Sequence, residues 1–162
     1  MKKFLFTLLL SSLIFTACSP LLGGDCPVSQ PGDLSFVPPD PMPAEAPFAD
    51  QFWHGSAQLW TMLPKSGLWQ DLPQTDDGYS QKLWWWAPGY DFQEEPNPIF
   101  ELLANPLGRF GAQYRFEQAT NANSGELGSA ILLGVSFPYA GCWEITGNYG
   151  GESLSYIVEI AP

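Results

Sequence analysis

Apolar and polar side chains alternate along the last part of the chain. Residues 141–149 and 153–160 both show a period of two, with Trp143 and Ile145 on one face of the first run and polar neighbours on the other. This period is expected of half-buried β-strands. Two glycines separate the runs, and glycine adopts the positive φ of a tight turn without steric cost. The pattern predicts a β-hairpin that closes a β-sandwich.

Strand-like runs recur from residue 53 onward, separated by residues typical of turns. We predict strands at residues 56–63, 80–87, 99–104, 113–119, 129–137, 141–149 and 153–160. A short helix at 99–104 is the main alternative, because Phe100, Leu103 and Ala104 also fit one helical face. About seven short strands with a late Cys-Trp strand predict an all-β, immunoglobulin-like β-sandwich over residues 53–162.

The first residues have the organisation of an export signal. Two lysines precede an apolar run at residues 4–15, which is too short to span a bilayer. Thr16, Ala17 and Cys18 follow, and this arrangement resembles a bacterial lipoprotein signal. The resemblance implies cleavage of a signal peptide at residues 1–17 and a lipid on Cys18. The alternative is an ordinary secretory signal that is cut near Ala17.

Lipidation would place the protein outside the cytoplasm, anchored to the cell membrane or to an outer membrane. Phe15 departs from the small aliphatic residue usual in such signals. Ser19, in place of an aspartate, is compatible with sorting to an outer membrane, by resemblance to lipoprotein sorting rules.

Residues 18–52 form a proline-rich segment. Half of the sixteen prolines lie in residues 19–52, so extended or irregular backbone is predicted there. Two cysteines remain besides Cys18, and cysteines outside the cytoplasm usually pair, which predicts a disulfide between Cys26 and Cys142. Without this bond the segment would be a stalk to the membrane. With it, the segment would lie over the surface of the domain.

The net charge of the chain limits the classes of molecule that it is expected to bind. Loss of the leader leaves four basic residues against seventeen acidic ones, a formal charge of −13. Binding to nucleic acids or to anionic membrane surfaces requires clustered lysine and arginine residues, so we do not expect the domain to bind either of them through its surface. The acidic residues are spread along the chain, which favours a solvated surface over a cation-binding array.

Several short blocks of sequence carry a resemblance to a group of uncharacterised secreted bacterial proteins and lipoproteins. The blocks are CPV at 26–28, HGS at 54–56, LWT at 59–61, LP at 63–64, YSQKLWWW at 79–86, ATNA at 119–122, FP at 137–138 and GCWEITG at 141–147. The likeness implies a similar cysteine pair and a C-terminal end like the last two strands of bacterial immunoglobulin-like domains. It implies no activity.

Seven tryptophans are the most unusual feature of the composition. On a strand, Trp84 and Trp86 share one face and Trp85 takes the other. Exposed aromatic rings on a sheet face hold sugar rings in many carbohydrate-binding modules. The candidate ligand-binding residues are Trp84, Trp86 and Tyr90, with Gln81, Asp91 and Asn97 as hydrogen-bonding partners. The alternative is that a loop or the proline-rich segment covers the two indoles, since tryptophan is buried on average.

The sequence does not indicate an enzyme. His54 is the only histidine, so the usual zinc sites are not expected. A catalytic triad of His54 with Ser56 is not favoured, because the chain has no Gly-x-Ser-x-Gly turn. Residues 76–78, with two aspartates and a glycine, predict a hairpin turn rather than a calcium loop. Glu94 and Glu95 lack the paired spacing that would single out glycosidase carboxylates.

We therefore expect a lipid-anchored, extracytoplasmic binding or interaction module without catalytic activity, metal or cofactor. Its partners would be the membrane, through Cys18, and a glycan or an envelope protein. The alternatives are a carbohydrate-binding module that uses exposed tryptophans and, after that, a hydrolase of unrecognised type.

Overall fold

A computed structural model describes residues 25–32, 36–108 and 111–162. The expected signal peptide, Cys18 and Ser19 lie outside these residues. The regular structure of the described residues consists of eleven strands. They are β1 (Gln51–Gly55), β2 (Trp60–Pro64), β3 (Leu68–Trp69), β4 (Gln74–Thr75), β5 (Gly78–Trp86), β6 (Glu101–Pro106), β7 (Tyr114–Phe116), β8 (Thr120–Ser124), β9 (Gly128–Phe137), β10 (Gly141–Tyr149) and β11 (Glu152–Ile160).

The strands form two sheets. The first has the order β1-β2-β5-β9-β8, with β4 paired to β5, and the second has the order β3-β11-β10-β6-β7. All pairs are antiparallel except β3 with β11. The predicted all-β sandwich is confirmed. No helix in the part of the chain that the structure describes is long and apolar enough to cross a membrane.

The seven predicted strands are present, and the helical alternative at residues 99–104 is wrong because β6 forms there. The predicted strand at 56–63 combines a turn with β2. Four strands were not predicted: β1, β3, β4 and β8. The stretch between the predicted strands at 113–119 and 129–137, which was expected to be a turn, is largely strand β8, whose residues pair along their whole length with β9. β8 is an edge strand in which no residue is fully buried, so it carries no clear period-two signal and its composition resembles a turn.

An inner core fills the space between the two sheets. Its largest buried side chains include Trp85, Trp143, Phe100, Phe137, Ile131 and Ile145. Gly147 of β10 makes room for the largest of them. A Cβ atom at this position would lie 2.5 Å from the Trp85 ring and 2.7 Å from the Phe100 ring. The second sheet therefore needs a glycine opposite the tryptophan of the first.

The disulfide between Cys26 and Cys142 is present, with Cα atoms 5.5 Å apart, and this prediction is confirmed. The segment that follows Cys26 runs beside β11. The Ser29 N–H donates to the Ile157 carbonyl at 2.9 Å, and the Ile157 N–H donates to Ser29 Oγ at 3.0 Å. These bonds fix the start of the proline-rich segment against the second sheet.

The proline-rich segment then covers the outer face of the first sheet. Trp53, Trp60, Trp86, Leu127 and Ala130 form an outer cluster, against which Phe36, Met42 and Ala46 of the segment pack. Trp53 Nε1 donates to the Pro43 carbonyl at 3.0 Å. The described part of the segment is therefore a surface layer of the domain. The alternative in which these residues form a stalk to the membrane is wrong.

Candidate functional site

A groove opens in the first sheet where β2 and β5 separate. The two strands pair only at Trp60 with Trp86 and at Thr61 with Trp85. After β2 the chain turns at Gly67, whose φ is +69°, and crosses to the second sheet as β3. It returns to the first sheet as β4. The excursion leaves a groove of about 620 Å³ between β2 and the middle of β5.

The backbone of β5 is incompletely paired along this groove. The Ser80 N–H donates to the Pro73 carbonyl at 2.8 Å, and Thr61 Oγ1 donates to the Trp84 carbonyl at 2.7 Å. Alternate residues of a strand point their backbone N–H and C=O groups to the same side. Lys82 lies midway between Ser80 and Trp84, so its N–H and C=O point to the same side as theirs, toward the groove. Its N–H donates to Gln81 Oε1 at 2.9 Å. A side-chain amide thus occupies a position that a neighbouring strand would normally fill.

Trp84 and Trp86 share one face of β5, as the period-two argument predicted, and this is the outer face, yet they differ in exposure. Trp86 is 2% exposed, and its Nε1 donates to the Leu127 carbonyl at 3.0 Å. Trp84 is partly exposed and lines the groove. The two rings are stacked, with centroids 6.2 Å apart and planes 22° apart. An exposed platform of two indoles is therefore wrong, because Trp86 is buried within the outer cluster. One flank of Trp84 remains accessible.

Tyr90 is not part of the groove. It is buried, and its hydroxyl donates to the Glu95 carbonyl at 3.2 Å. Its ring meets Tyr149 edge-on at 6.0 Å. Burial raises the pKa of Tyr90, and the charges of Glu95 and Asp91 raise it further. Trp84 and Gln81 both line the groove, from opposite faces of β5, whereas Tyr90 and Asp91 lie elsewhere.

A second cleft, of about 880 Å³, lies at the end of the sandwich formed by the β10–β11 turn. Asn97 lines this cleft and not the groove. Glu101 accepts from Asn148 Nδ2 at 2.9 Å and forms an ion pair with Arg115. Arg115 Nε also meets Glu117 Oε1 at 2.7 Å. Sequence reasoning missed these residues because they come from three strands and the segment after β7, with no common motif.

Glu95 acts as a structural residue beside this cleft. Its Oε1 accepts from the Ile99 N–H at 3.2 Å, and its Oε2 accepts from the Tyr149 hydroxyl at 2.5 Å. Burial raises the pKa of Tyr149, and the bond to Glu95 raises it further. The two carboxylate oxygens of Glu95 therefore fix the conformation of the loop at residues 95–99 and join it to β10.

His54 joins the two sheets at one edge of the sandwich. Its Nε2 lies 3.2 Å from the Ser155 carbonyl of β11, and its ring contacts Phe52 and Tyr156 edge-on. Burial lowers the pKa of His54. Ser56 Oγ accepts from the backbone of the turn between β1 and β2. These contacts give both residues structural roles.

The sequence also predicted a hairpin turn at residues 76–78. Thr75 pairs with Gly78, so the two aspartates between them form the turn of the β4–β5 hairpin, as predicted. Over residues 25–32, 36–108 and 111–162, no group of three or more histidine, cysteine, aspartate or glutamate side chains is placed to hold a metal ion.

Comparison of the chain with protein-family models, with curated proteins and with solved structures finds no match. The family resemblance and the immunoglobulin-like type of sandwich accordingly stay predictions. In the groove between β2 and β5, a partly exposed aromatic ring and incompletely paired polar groups occur together.

Proposed function

We propose that the protein is a lipid-anchored, extracytoplasmic binding module without catalytic activity, and that its ligand is a glycan held in the groove between β2 and β5. The observation that carries the proposal is the combination of the Trp84 indole with the polar groups of Gln81 and Lys82 along one groove. A sugar ring has flat apolar faces and hydroxyl groups at its rim. It therefore needs an aromatic surface beside amide or carbonyl partners.

The groove has the dimensions and the rigidity that this function requires. Its volume of about 620 Å³ lies within the roughly 300–1,000 Å³ usual for small-ligand sites. Trp84 stacks on the buried Trp86, so the orientation of its free flank is set before a ligand arrives. A preorganised ring costs little conformational entropy on binding.

The rim of the groove supplies exchangeable hydrogen bonds. Gln81 Oε1 accepts from the Lys82 N–H in the free protein. A sugar hydroxyl can replace this amide at the Lys82 N–H while the Lys82 carbonyl accepts from a second hydroxyl. The exchange leaves no buried polar group unpaired, which is the condition for specific recognition.

Location outside the cytoplasm is supported by the disulfide between Cys26 and Cys142, because such bonds persist in oxidising compartments. The lipid on Cys18 is proposed from the leader sequence. Replacement of Cys18 by alanine should release the protein from the membrane fraction and remove the mass of the lipid. A variant that stays in the membrane fraction would contradict the anchor.

Glycan binding can be tested by thermal melting of the purified protein against a panel of cell-wall glycans and simple sugars. A glycan at a hundred times its dissociation constant should stabilise the fold by about 2.7 kcal/mol. Trp84→Ala and Gln81→Ala should abolish this shift and leave the melting of the free protein nearly unchanged. Val37→Ala, on an exposed residue outside the groove lining, is the matched control. No shift with any glycan, or a shift that survives Trp84→Ala, would refute the proposal.

A further inference from the structure

Ile99 is the most exposed large apolar side chain in the described part of the chain. It is 91% exposed, compared with 60% for Val37 and 54% for Phe48. Its neighbours Pro98 and Phe100 are both buried. The backbone is therefore fixed on either side of a residue whose side chain projects into solvent. Single exposed apolar residues are common, so the setting of Ile99 has to carry the argument.

Hydrogen bonds hold the loop that presents Ile99. Glu95 accepts from the Ile99 N–H and from the Tyr149 hydroxyl through its two carboxylate oxygens. Asn121 of β8 donates to the Pro96 carbonyl at 2.7 Å. Bonds from both sheets thus prevent the loop from folding Ile99 back onto the surface. An apolar anchor that is ordered before binding is typical of the residues that dominate protein interfaces.

The surface beside Ile99 is concave and acidic. Ile99 lies at the second cleft, whose lining contains Glu101, Glu117 and Glu152 but only Arg115 as a basic residue. Arg115 is already paired with Glu101 and Glu117. The remaining charge of the lining is negative, so a complementary surface would carry positive charge.

We infer that Ile99 and the second cleft form a docking surface for a protein segment in which apolar and basic side chains lie next to each other. The apolar side chains pack on Ile99, and the basic ones enter the cleft toward Glu117 and Glu152. The second cleft shares no lining residue with the groove between β2 and β5. Protein docking and glycan binding are therefore assigned to separate sites.

The test uses the purified full chain and a labelled peptide of alternating leucine and lysine, with binding measured by fluorescence anisotropy. Ile99→Ser should weaken binding about tenfold, and Glu117→Gln with Glu152→Gln should weaken it further. Val37→Ser replaces an exposed apolar residue elsewhere and should change the affinity by less than about twofold. Peptides of alternating serine and lysine, or of leucine and glutamate, should bind at least about tenfold more weakly than the first peptide.

Equal binding of the leucine–lysine peptide to the parent chain and to Ile99→Ser would overturn the inference, as would no binding at all. A preference for the leucine–glutamate peptide would also overturn it. Because Ile99 is almost fully exposed, the melting temperature of Ile99→Ser should match that of the parent, which excludes unfolding as the cause. Trp84→Ala should leave peptide binding unchanged, so a failure of glycan binding is recognised separately.

Discussion

The inner core and the outer cluster are built on the same strand and are closed in different ways. Trp85 of β5 points inward and is enclosed by the second sheet, while Trp86 points outward into the outer cluster, against which a segment without regular structure packs. The inner core is closed by long strands with a continuous ladder of backbone hydrogen bonds. The outer cluster is closed by side chains of the proline-rich segment and by the bond from Trp53 to Pro43.

This difference shows that burial of a tryptophan does not reveal how firmly it is held. The segment over the outer cluster is tied at its start by the disulfide at Cys26 and at its end by β1. Between these two points the described residues are held by the hydrogen bonds between Ser29 and Ile157, by the bond from Trp53 to Pro43, by the bond from the Lys65 N–H to the Asp50 carbonyl and by the packing of three side chains, Phe36, Met42 and Ala46. Local stability follows the density of such contacts, so we expect the outer cluster to open before the inner core.

The largest effect is expected from Trp85→Ala. The indole is completely buried between the sheets, and its loss leaves a cavity that Gly147 cannot fill. Large-to-small changes of buried aromatic residues cost about 3–5 kcal/mol. Chemical denaturation should show this loss in the free energy of unfolding. Trp84→Ala, one position away and partly exposed, is the control and should cost much less; equal losses would contradict the assignment of the two faces.

Replacement of both Cys26 and Cys142 by serine should have the next largest effect. The bond joins residues 116 positions apart, and loss of a disulfide typically costs about 2–4 kcal/mol through the entropy of the unfolded chain. Hydrogen exchange should increase first in residues 36–50 and in the outer cluster. An increase confined to the inner core would contradict the view that the disulfide secures the covering segment.

Met42→Ser should weaken the outer cluster alone. Met42 packs against the cluster from the proline-rich segment, and partial loss of its apolar contact should cost about 1–2 kcal/mol. Exposure of Trp53 and Trp86 to water would appear as a red shift of the tryptophan emission. Val37→Ser, in the same segment but exposed, should produce neither change.

Tyr156→Phe should preserve or slightly raise stability. The Tyr156 hydroxyl is buried without a hydrogen-bond partner among the described residues, and burial raises its pKa far above the usual range. Removing an unpaired buried hydroxyl relieves a desolvation cost of about 1 kcal/mol. A loss of stability in thermal melting would indicate that the hydroxyl has a bonding partner in solution.

The smallest effect concerns the pH dependence contributed by His54. Burial lowers its pKa below the ordinary value of 6.5, so the folded state binds a proton less readily than the unfolded state. Its contribution to stability is therefore complete above pH 6.5 and declines as the pH falls through 6.5 toward the lowered folded pKa. The difference in unfolding free energy between the parent and His54→Gln should shrink over this interval. A difference independent of pH would show that folding does not change the pKa of His54.

The sequence was sufficient to predict the elements that have one buried and one exposed face. β9, β10 and β11 begin within one residue of their predicted starts and end where predicted, because side chains at alternate positions record the burial of a single face. The disulfide was predictable for a different reason: only Cys26 and Cys142 remain besides Cys18, so there is one way for them to pair. β8 and β1 were missed because edge strands depend on their neighbours for pairing and carry a weak pattern of their own.

The alternation in residues 80–87 determined that Trp84 and Trp86 share one face of β5, because the side-chain period of a strand is a local property. Only the tertiary structure decided that Trp86 is buried and Trp84 only partly so, because Trp53 and Leu127, which enclose Trp86, come from distant parts of the chain. The groove likewise arises because β3 leaves the first sheet to pair with β11. Contacts between distant parts of the chain decide which outward-facing residues remain accessible, and a local pattern does not contain that information.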